Sequence, residues 1–147
     1  MRIPIQVLVY PVMQSEDGWK YLMLKRTEER GGFWQGVTGH PEGKESIEQA
    51  AARELLEETG FIPNFLIKTD FTYKIKIEES TKDIFPEGTT ELDEYVFIAR
   101  IDQEDLPSID SYEHTEWRWC SYEEAQNLLF WEENKQALEY VKKFLED

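Results

Sequence analysis

The chain is poor in the residues that build most recognisable sites. It has one cysteine, Cys120, so no internal disulfide can form and no thiolate zinc cluster is suggested. It has two histidines, His40 and His114, and neither has another His or Cys at metal-ligand spacing. His114 therefore reads as a hydrogen-bonded structural residue. Basic residues are scarce, 16 against 31 acidic, leaving a net charge of −15. Such a chain repels DNA, RNA and anionic membranes at long range, which excludes nucleic acid polymers and lipid surfaces as partners. The longest apolar run, residues 3–12, is too short to span a bilayer and lacks a signal-peptide cleavage pattern, so a reducing cytoplasm is expected. Repeats, low-complexity tracts, a P-loop and a serine nucleophile elbow are all missing. What remains is a single domain, residues 1–147, whose 14% aromatic content argues for a packed core.

The most informative stretch is GHPEGKESIEQAARELLEETGF, from Gly39 to Phe61. Ser46, with Gln49 three residues on, forms a capping box, and Gly60 is a C-terminal stop, so a helix is expected over 47–59. Glu54, Glu57 and Glu58 share an arc of roughly 100° on that helix. Ala51, Ala52, Leu55 and Leu56 are expected to take the adjoining face, toward the core. The arrangement is costly. Glu54 and Glu58 repel at i,i+4. Glu57 and Glu58 lie in the last turn, where the helix dipole disfavours anions by ~0.3–1 kcal/mol each. Arg53 can pair with Glu57, but one guanidinium does not balance three carboxylates. A hard divalent cation does, and Mg²⁺ is usually held by carboxylates together with substrate phosphates. The competing reading is a solvated acidic face.

Around this stretch the chain alternates strand and helix signals. Residues 3–12 read as a buried strand, and 21–26 as its antiparallel partner after a turn at 15–18. Lys25 and Arg26 end that second strand, either in solvent or, for Arg26, against a phosphate. Trp34 is either core or a stacking platform for a base. Phe71, Tyr73, Ile75 and Ile77 alternate with polar residues, giving a half-buried strand. Residues 80–91 read as a loop, either a substrate lid or a plain hairpin connection. Further strands are expected at 95–101 and 116–120, flanking an irregular acidic stretch at 103–112. Ser121 with Glu124 opens a second helix, and 132–145 forms a third with an apolar stripe. The fold class is α/β, a mixed sheet with helices packed on it.

The residues Gly39, Glu45, Arg53-Glu54-Leu55, Glu57-Glu58 and Gly60-Phe61, at these spacings, resemble the Nudix box. The resemblance implies a Nudix fold, with the mixed sheet sandwiched between α-helices. It also implies a loop–helix–loop that holds Mg²⁺ or Mn²⁺ and hydrolyses a diphosphate linked to another group, usually a nucleoside. The loop His40-Pro41-Glu42-Gly43-Lys44 departs from the usual family run. Through the resemblance, Gly39 joins Glu54, Glu57 and Glu58 as a metal ligand, and Arg53 orients Glu45 or Glu57. Phe33-Trp34-Gln35, Val37-Thr38-Gly39 and Glu113-His114 are similar to the dihydroneopterin triphosphate/dATP pyrophosphohydrolase branch. That similarity makes Glu113 a late carboxylate of the metal site; Arg26, Trp34 and Gln35 are candidate substrate contacts.

The expected chemistry is metal-dependent release of pyrophosphate from a small nucleoside or pterin triphosphate. Glu57 and Glu58 would be ligands, and Glu54 a ligand or general base. Two alternatives stand beside it. One is hydrolysis of another nucleoside diphosphate derivative, such as ADP-ribose or a dinucleoside polyphosphate. The other is a non-catalytic nucleotide-binding module, which would have no need of the whole set Arg53, Glu54, Glu57 and Glu58.

Overall fold

A computed structural model describes residues 2–102 and 106–146. Part of the irregular acidic stretch at 103–112 therefore lies outside the described residues. The strands are β1 (Ile5–Ser15), β2 (Gly18–Arg26), β3 (Trp34–Gln35), β4 (Val37–Gly39), β5 (Phe65–Lys76), β6 (Glu91–Arg100) and β7 (His114–Cys120). The helices are α1 (Ile47–Thr59), α2 (Tyr122–Leu128) and α3 (Glu132–Glu146). Among the described residues, no helix is long and apolar enough to cross a membrane.

β1 is the axis of the sheet. Along one edge it runs parallel to β6, from Ile5 opposite Asp93 to Val12 opposite Arg100. The other edge is divided. Val7–Val9 pair with β4, whereas Val12–Ser15 pair with β2. Pro11, which has no N–H to donate, sits at the handover between those two partners. The sheet therefore forks. β2 leads away to β7 and β3, and β5 closes the opposite edge against β6.

Both faces of β1 are covered, which explains its continuous apolar run. On one face Leu8, Tyr10, Val96 and Ile98 pack against Ala137, Leu138 and Val141 of α3. On the other, Val7, Val9, Phe97 and Ala99 pack against Ala50, Ala51 and Leu55 of α1. The α/β/α sandwich expected from the sequence is the observed architecture.

Several boundaries differ from expectation for identifiable reasons. β5 starts at Phe65, well before the alternating run at 71–77, because a register shift between Lys68 and Thr72 breaks the period-two pattern. β6 starts at Glu91 because it buries a carboxylate, Glu94, at a position that pattern reading treats as polar. The loop at 80–91 opens with a 3₁₀ turn, Glu79–Ile84, and is pinned by buried Phe85. Phe85 meets His40 edge-on at 6.0 Å.

α1 has its expected limits and both arms of its capping box. Gly60 adopts φ 78°, the left-handed geometry that ends a helix most readily at glycine. Its rotation is not the expected one. Ala52 and Leu56 are exposed, and the buried set is Ala50, Ala51, Leu55, Glu58 and Thr59. The carboxylate arc thus overlaps the packed face instead of adjoining it. This phase is testable by mutation. Leu55→Ala should destabilise the protein by about 2–5 kcal/mol. Leu56→Ala should stay within about 0.5 kcal/mol of wild type in chemical denaturation. Equal losses would contradict the phase.

Candidate metal and substrate site

The site is assembled by the loop after β4, by α1, and by the short segment entering β7. Arg53 ties the first two together. Its Nε and Nη2 donate to the Glu45 carboxylate at 2.8 and 3.0 Å, and Nη2 also donates to the His40 carbonyl at 2.8 Å. Its Nη1 reaches Glu54 Oε1 at 2.8 Å and Glu57 Oε2 at 3.1 Å. The sequence expectation of Glu45 or Glu57 as its partner is met twice over, with Glu54 added. Hydrogen bonding to Arg53 holds the Glu45 carboxyl below its usual range.

Gly39 is required by close approach. A Cβ at this position would lie 2.1 Å from Cδ of Glu54, so any side chain would push that carboxylate away. Glu54 is half-buried, and burial raises its pKa against the opposing pull of Glu58 and Arg53. Glu58 is only 1% exposed. Burial, then the neighbouring Glu54 and Glu113, push its carboxyl well above neutrality, and its buried Oε2 has no hydrogen-bond partner.

Ligand atoms of Glu58, Glu113 and His114 all lie within 4.8 Å of one another. The fold thus brings the late Glu113 to the helix, as expected. It does not bring Glu57 into that cluster, because its exposed carboxylate is drawn to Arg53. His114 departs from its expected role. It is 2% exposed, with Nε2 3.8 Å from Glu58 Oε1, and neither ring nitrogen has a hydrogen-bond partner. Burial and then the Arg26 charge lower its pKa to about 4, so the ring is neutral at pH 7. Reading motifs by His/Cys spacing missed it, since its partners are carboxylates from distant segments.

The carboxylate donor set fits a divalent cation. Glu58 has a bare buried oxygen, Glu54 and Glu113 are close by, and Arg53 is already spent on Glu45, Glu54 and Glu57.

Gly39, Glu54 and Glu113 line a cleft of about 1150 Å³. One side carries Arg26 and Arg30, which contribute their charge beside Glu113 and His114. Arg26 has a buried, unpartnered Nε and lies 5.5 Å over the Phe33 ring. Gln35 also lines the cleft, and its amide reaches Thr38 Oγ1 at 3.3 Å. Trp34 is placed elsewhere: it packs against the core under α2 and α3, with Arg118 5.1 Å over its ring. The tryptophan lining the cleft is Trp131, edge-on to Phe33 at 5.9 Å. It precedes α3 outside any periodic pattern, and no sequence signal marked it.

The cleft also contains a buried polar group of its own. Glu94 accepts hydrogen bonds from Gln6 Nε2 and the Tyr73 hydroxyl. Tyr73 accepts in turn from Asn134 Nδ2 at 3.1 Å. Burial raises the Glu94 carboxyl to about 7.

Comparison with known proteins places this geometry. Residues 3–141 match the NUDIX domain family. Dihydroneopterin triphosphate diphosphatase of Haemophilus influenzae is 30% identical over 145 residues, covering 93% of this chain and 85% of that protein. A shorter stretch of 62 residues is 47% identical to an octanoyltransferase of Myxococcus xanthus. The chain spans only 17% of that protein's length, so this match is local. The crystal structure of a protein assigned as a NUDIX hydrolase from Listeria monocytogenes superimposes with a TM-score of 0.85 at 31% identity, covering 97% of this chain and 94% of that one. The match over nearly the whole chain, together with the carboxylates gathered around Arg53 and Gly39, establishes that the chain belongs to the NUDIX family and is a NUDIX hydrolase.

Proposed function

We propose that this enzyme hydrolyses a nucleoside or pterin triphosphate, releasing pyrophosphate, with Mg²⁺ or Mn²⁺ bound at the α1 carboxylates. The observation that carries the reading is the pair of half-buried Glu54 and buried Glu58, faced by Glu113 and only partly balanced by Arg53, which three glutamates share. The relative named a dihydroneopterin triphosphate diphosphatase supports the choice of a triphosphate. Glu54, Glu58 and Glu113, with the Gly39 backbone, would hold the ion, and Glu57 would serve by fixing Arg53 or by swinging in. A bound divalent ion supplies water activation and neutralises charge on phosphate oxygens.

The protein's own groups do the rest. Arg53 clamps Glu45, Glu54 and the His40 carbonyl, so the loop and the helix present one rigid acidic surface. Arg26 and Arg30 would hold phosphate oxygens on their side of the cleft. Glu54 or Glu113 would accept a proton from the attacking water. His114 stays neutral and fills the space behind Glu58.

A panel of deoxynucleoside triphosphates, dihydroneopterin triphosphate, ADP-ribose and dinucleoside polyphosphates, assayed for pyrophosphate and phosphate, tests the reading. Turnover should require divalent ions and return with Mg²⁺ or Mn²⁺ after chelation. Full activity in excess EDTA, or products only from the diphosphate compounds, would refute it.

The buried carboxylate also sets a pH dependence. The Glu58 carboxyl is held above its ordinary value in the folded chain, so the fold binds its proton more tightly than the unfolded chain does. That stability is present at low pH and lost as pH rises toward the raised value. In EDTA, Tm should therefore still be falling between about pH 8.5 and 10, above the range in which Glu94 titrates. Glu58→Gln should flatten the fall and hold or raise Tm, while turnover drops by orders of magnitude. A large loss of metal-free stability in Glu58→Gln would mean that the carboxylate is structural.

Glu113 and Glu116 separate site from surface. Glu113→Gln should lower kcat strongly and change KM little, as for an interaction made mainly in the transition state. Glu116, exposed and paired with Lys25 at 3.7 Å, should be nearly silent when changed to Gln. Identical kinetics in the two variants would remove Glu113 from the mechanism.

A further inference from the structure

His114 is a buried polar side chain to which the hydrolytic chemistry gives no part. It is 2% exposed, and neither ring nitrogen has a hydrogen-bond partner. In either tautomer a neutral imidazole carries one N–H donor and one acceptor nitrogen, so burial leaves both unmet. Glu58 Oε1 lies 3.8 Å from Nε2, too far for a hydrogen bond. An apolar side chain would occupy this position at lower cost.

The backbone explains how the ring reaches the carboxylates. Successive residues of a strand point to opposite faces, so a Glu-His pair would ordinarily be divided between them. Here Lys25 faces Glu116 and Arg26 faces His114, which leaves Thr115 as the extra residue of a bulge. Just before it, the amides of Glu113 and His114 both donate to the Asp110 carbonyl, closing a turn. The Glu113 carbonyl accepts from the Thr27 amide at 3.1 Å. Turn and bulge together re-aim the pair, and ligand atoms of Glu113, His114 and Glu58 gather within 4.8 Å. That span is little more than the roughly 4.2 Å between two donors on opposite sides of one ion. The Arg26 and Arg30 charges that act on His114 oppose a cation here, but Glu54, Glu58 and Glu113 outnumber them. Donor chemistry then narrows the ion. Mg²⁺ takes oxygen ligands and keeps several waters, whereas imidazole suits transition ions.

We propose that His114 donates a ring nitrogen to the divalent ion held by Glu58 and Glu113, and that this nitrogen biases the site toward transition ions such as Mn²⁺ and Co²⁺ over Mg²⁺. The inference rests on the reading of the α1 carboxylates as a divalent-ion site. It adds the nitrogen donor and the preference that follows from it.

Binding and spectroscopy test it without turnover. Protein labelled with ¹⁵N-histidine is stripped with EDTA, loaded with Mn²⁺ and examined by pulsed EPR. Wild type should show direct ¹⁵N coupling to the ion. The only other histidine is His40, whose Nδ1 lies 3.0 Å from the Ile5 carbonyl, so His40→Gln should keep the coupling. His114→Leu should abolish it. By calorimetry, His114→Leu should weaken Mn²⁺ and Co²⁺ by about tenfold or more and leave Mg²⁺ within about twofold. Its metal-free Tm should hold or rise, since two unpaired buried nitrogens are removed. Absence of ¹⁵N coupling in wild type overturns the proposal, and does so even if no variant folds. So does a His114→Leu variant that weakens all three ions alike while lowering metal-free Tm, the mark of a structural residue. Turnover with bound Mn²⁺ but no ¹⁵N coupling would overturn the role of His114 and leave the hydrolytic reading standing. Coupling in a protein that hydrolyses none of the triphosphates would sink the hydrolytic reading and leave His114 as a ligand.

Discussion

The structure depends on one unfavourable placement: two carboxylates of α1, Glu54 and Glu58, lie on or beside the face that the helix packs against the sheet. Glu58 sits among Ala51, Leu55 and Thr59 in the buried set. A fold selected for stability alone would put Leu or Met there. Ionised, the pair repels itself within one helical turn and at the negative end of the helix dipole. The surroundings absorb part of this cost. Arg53 takes one oxygen of Glu54, Gly39 clears space for its carboxyl group, and Arg26 and Arg30 add positive charge nearby. What they leave unpaired is Oε2 of Glu58, on a side chain grouped with Glu113 and His114.

The forked sheet explains why such a site can exist. Because β1 exchanges β4 for β2 halfway along one edge, the strands beyond it diverge. The gap admits the loop from β4, the entry to β7 and the start of α3 into one cleft. Gly39 pairs with Val7, and Gln6 is the neighbouring residue of β1, so adjacent positions of a single strand touch the α1 carboxylate end of the cleft and the Glu94 end. Sheet pairing and buried hydrogen bonds fix the Glu94 end, and Arg53 ties loop to helix at the other, which is what preorganisation of a site requires.

Sequence reading succeeded where a local rule had a local cause. The capping boxes at Ser46 and Ser121, the stop at Gly60 and the pairing of Arg53 with Glu57 all follow from neighbours within a few residues. It failed where the cause was long-range. The rotation of α1 depends on which face the sheet accepts, so Ala52 and Leu56, apolar by type, ended in solvent. Trp34 and Trp131 are indistinguishable as isolated tryptophans. Only the isolated bridge from Trp34 to Leu129, and the approach of Trp131 to Phe33, decide which one is core and which faces the cleft. Glu94 was visible only as one acid in a run of acids, since its burial depends on Gln6 and Tyr73 from other strands.

The net charge of −15 raises the question of how an anionic substrate approaches at all. Long-range steering works against it, and the basic groups of the cleft are few. Lys74 is already engaged with Asp93 at 2.9 Å. Arg26, by contrast, has a buried Nε without a partner. Under the proposed function a divalent ion would change this balance twice: it would remove the repulsion of the α1 carboxylates, and it would arrive with the substrate phosphates. In the proposed reaction the acidic surface would favour the metal-bound form of the substrate over the free polyanion, and would oppose long polyanions most strongly. On that reading, an excess of negative charge that looks hostile to phosphate chemistry would act as a filter for small, metal-loaded phosphates.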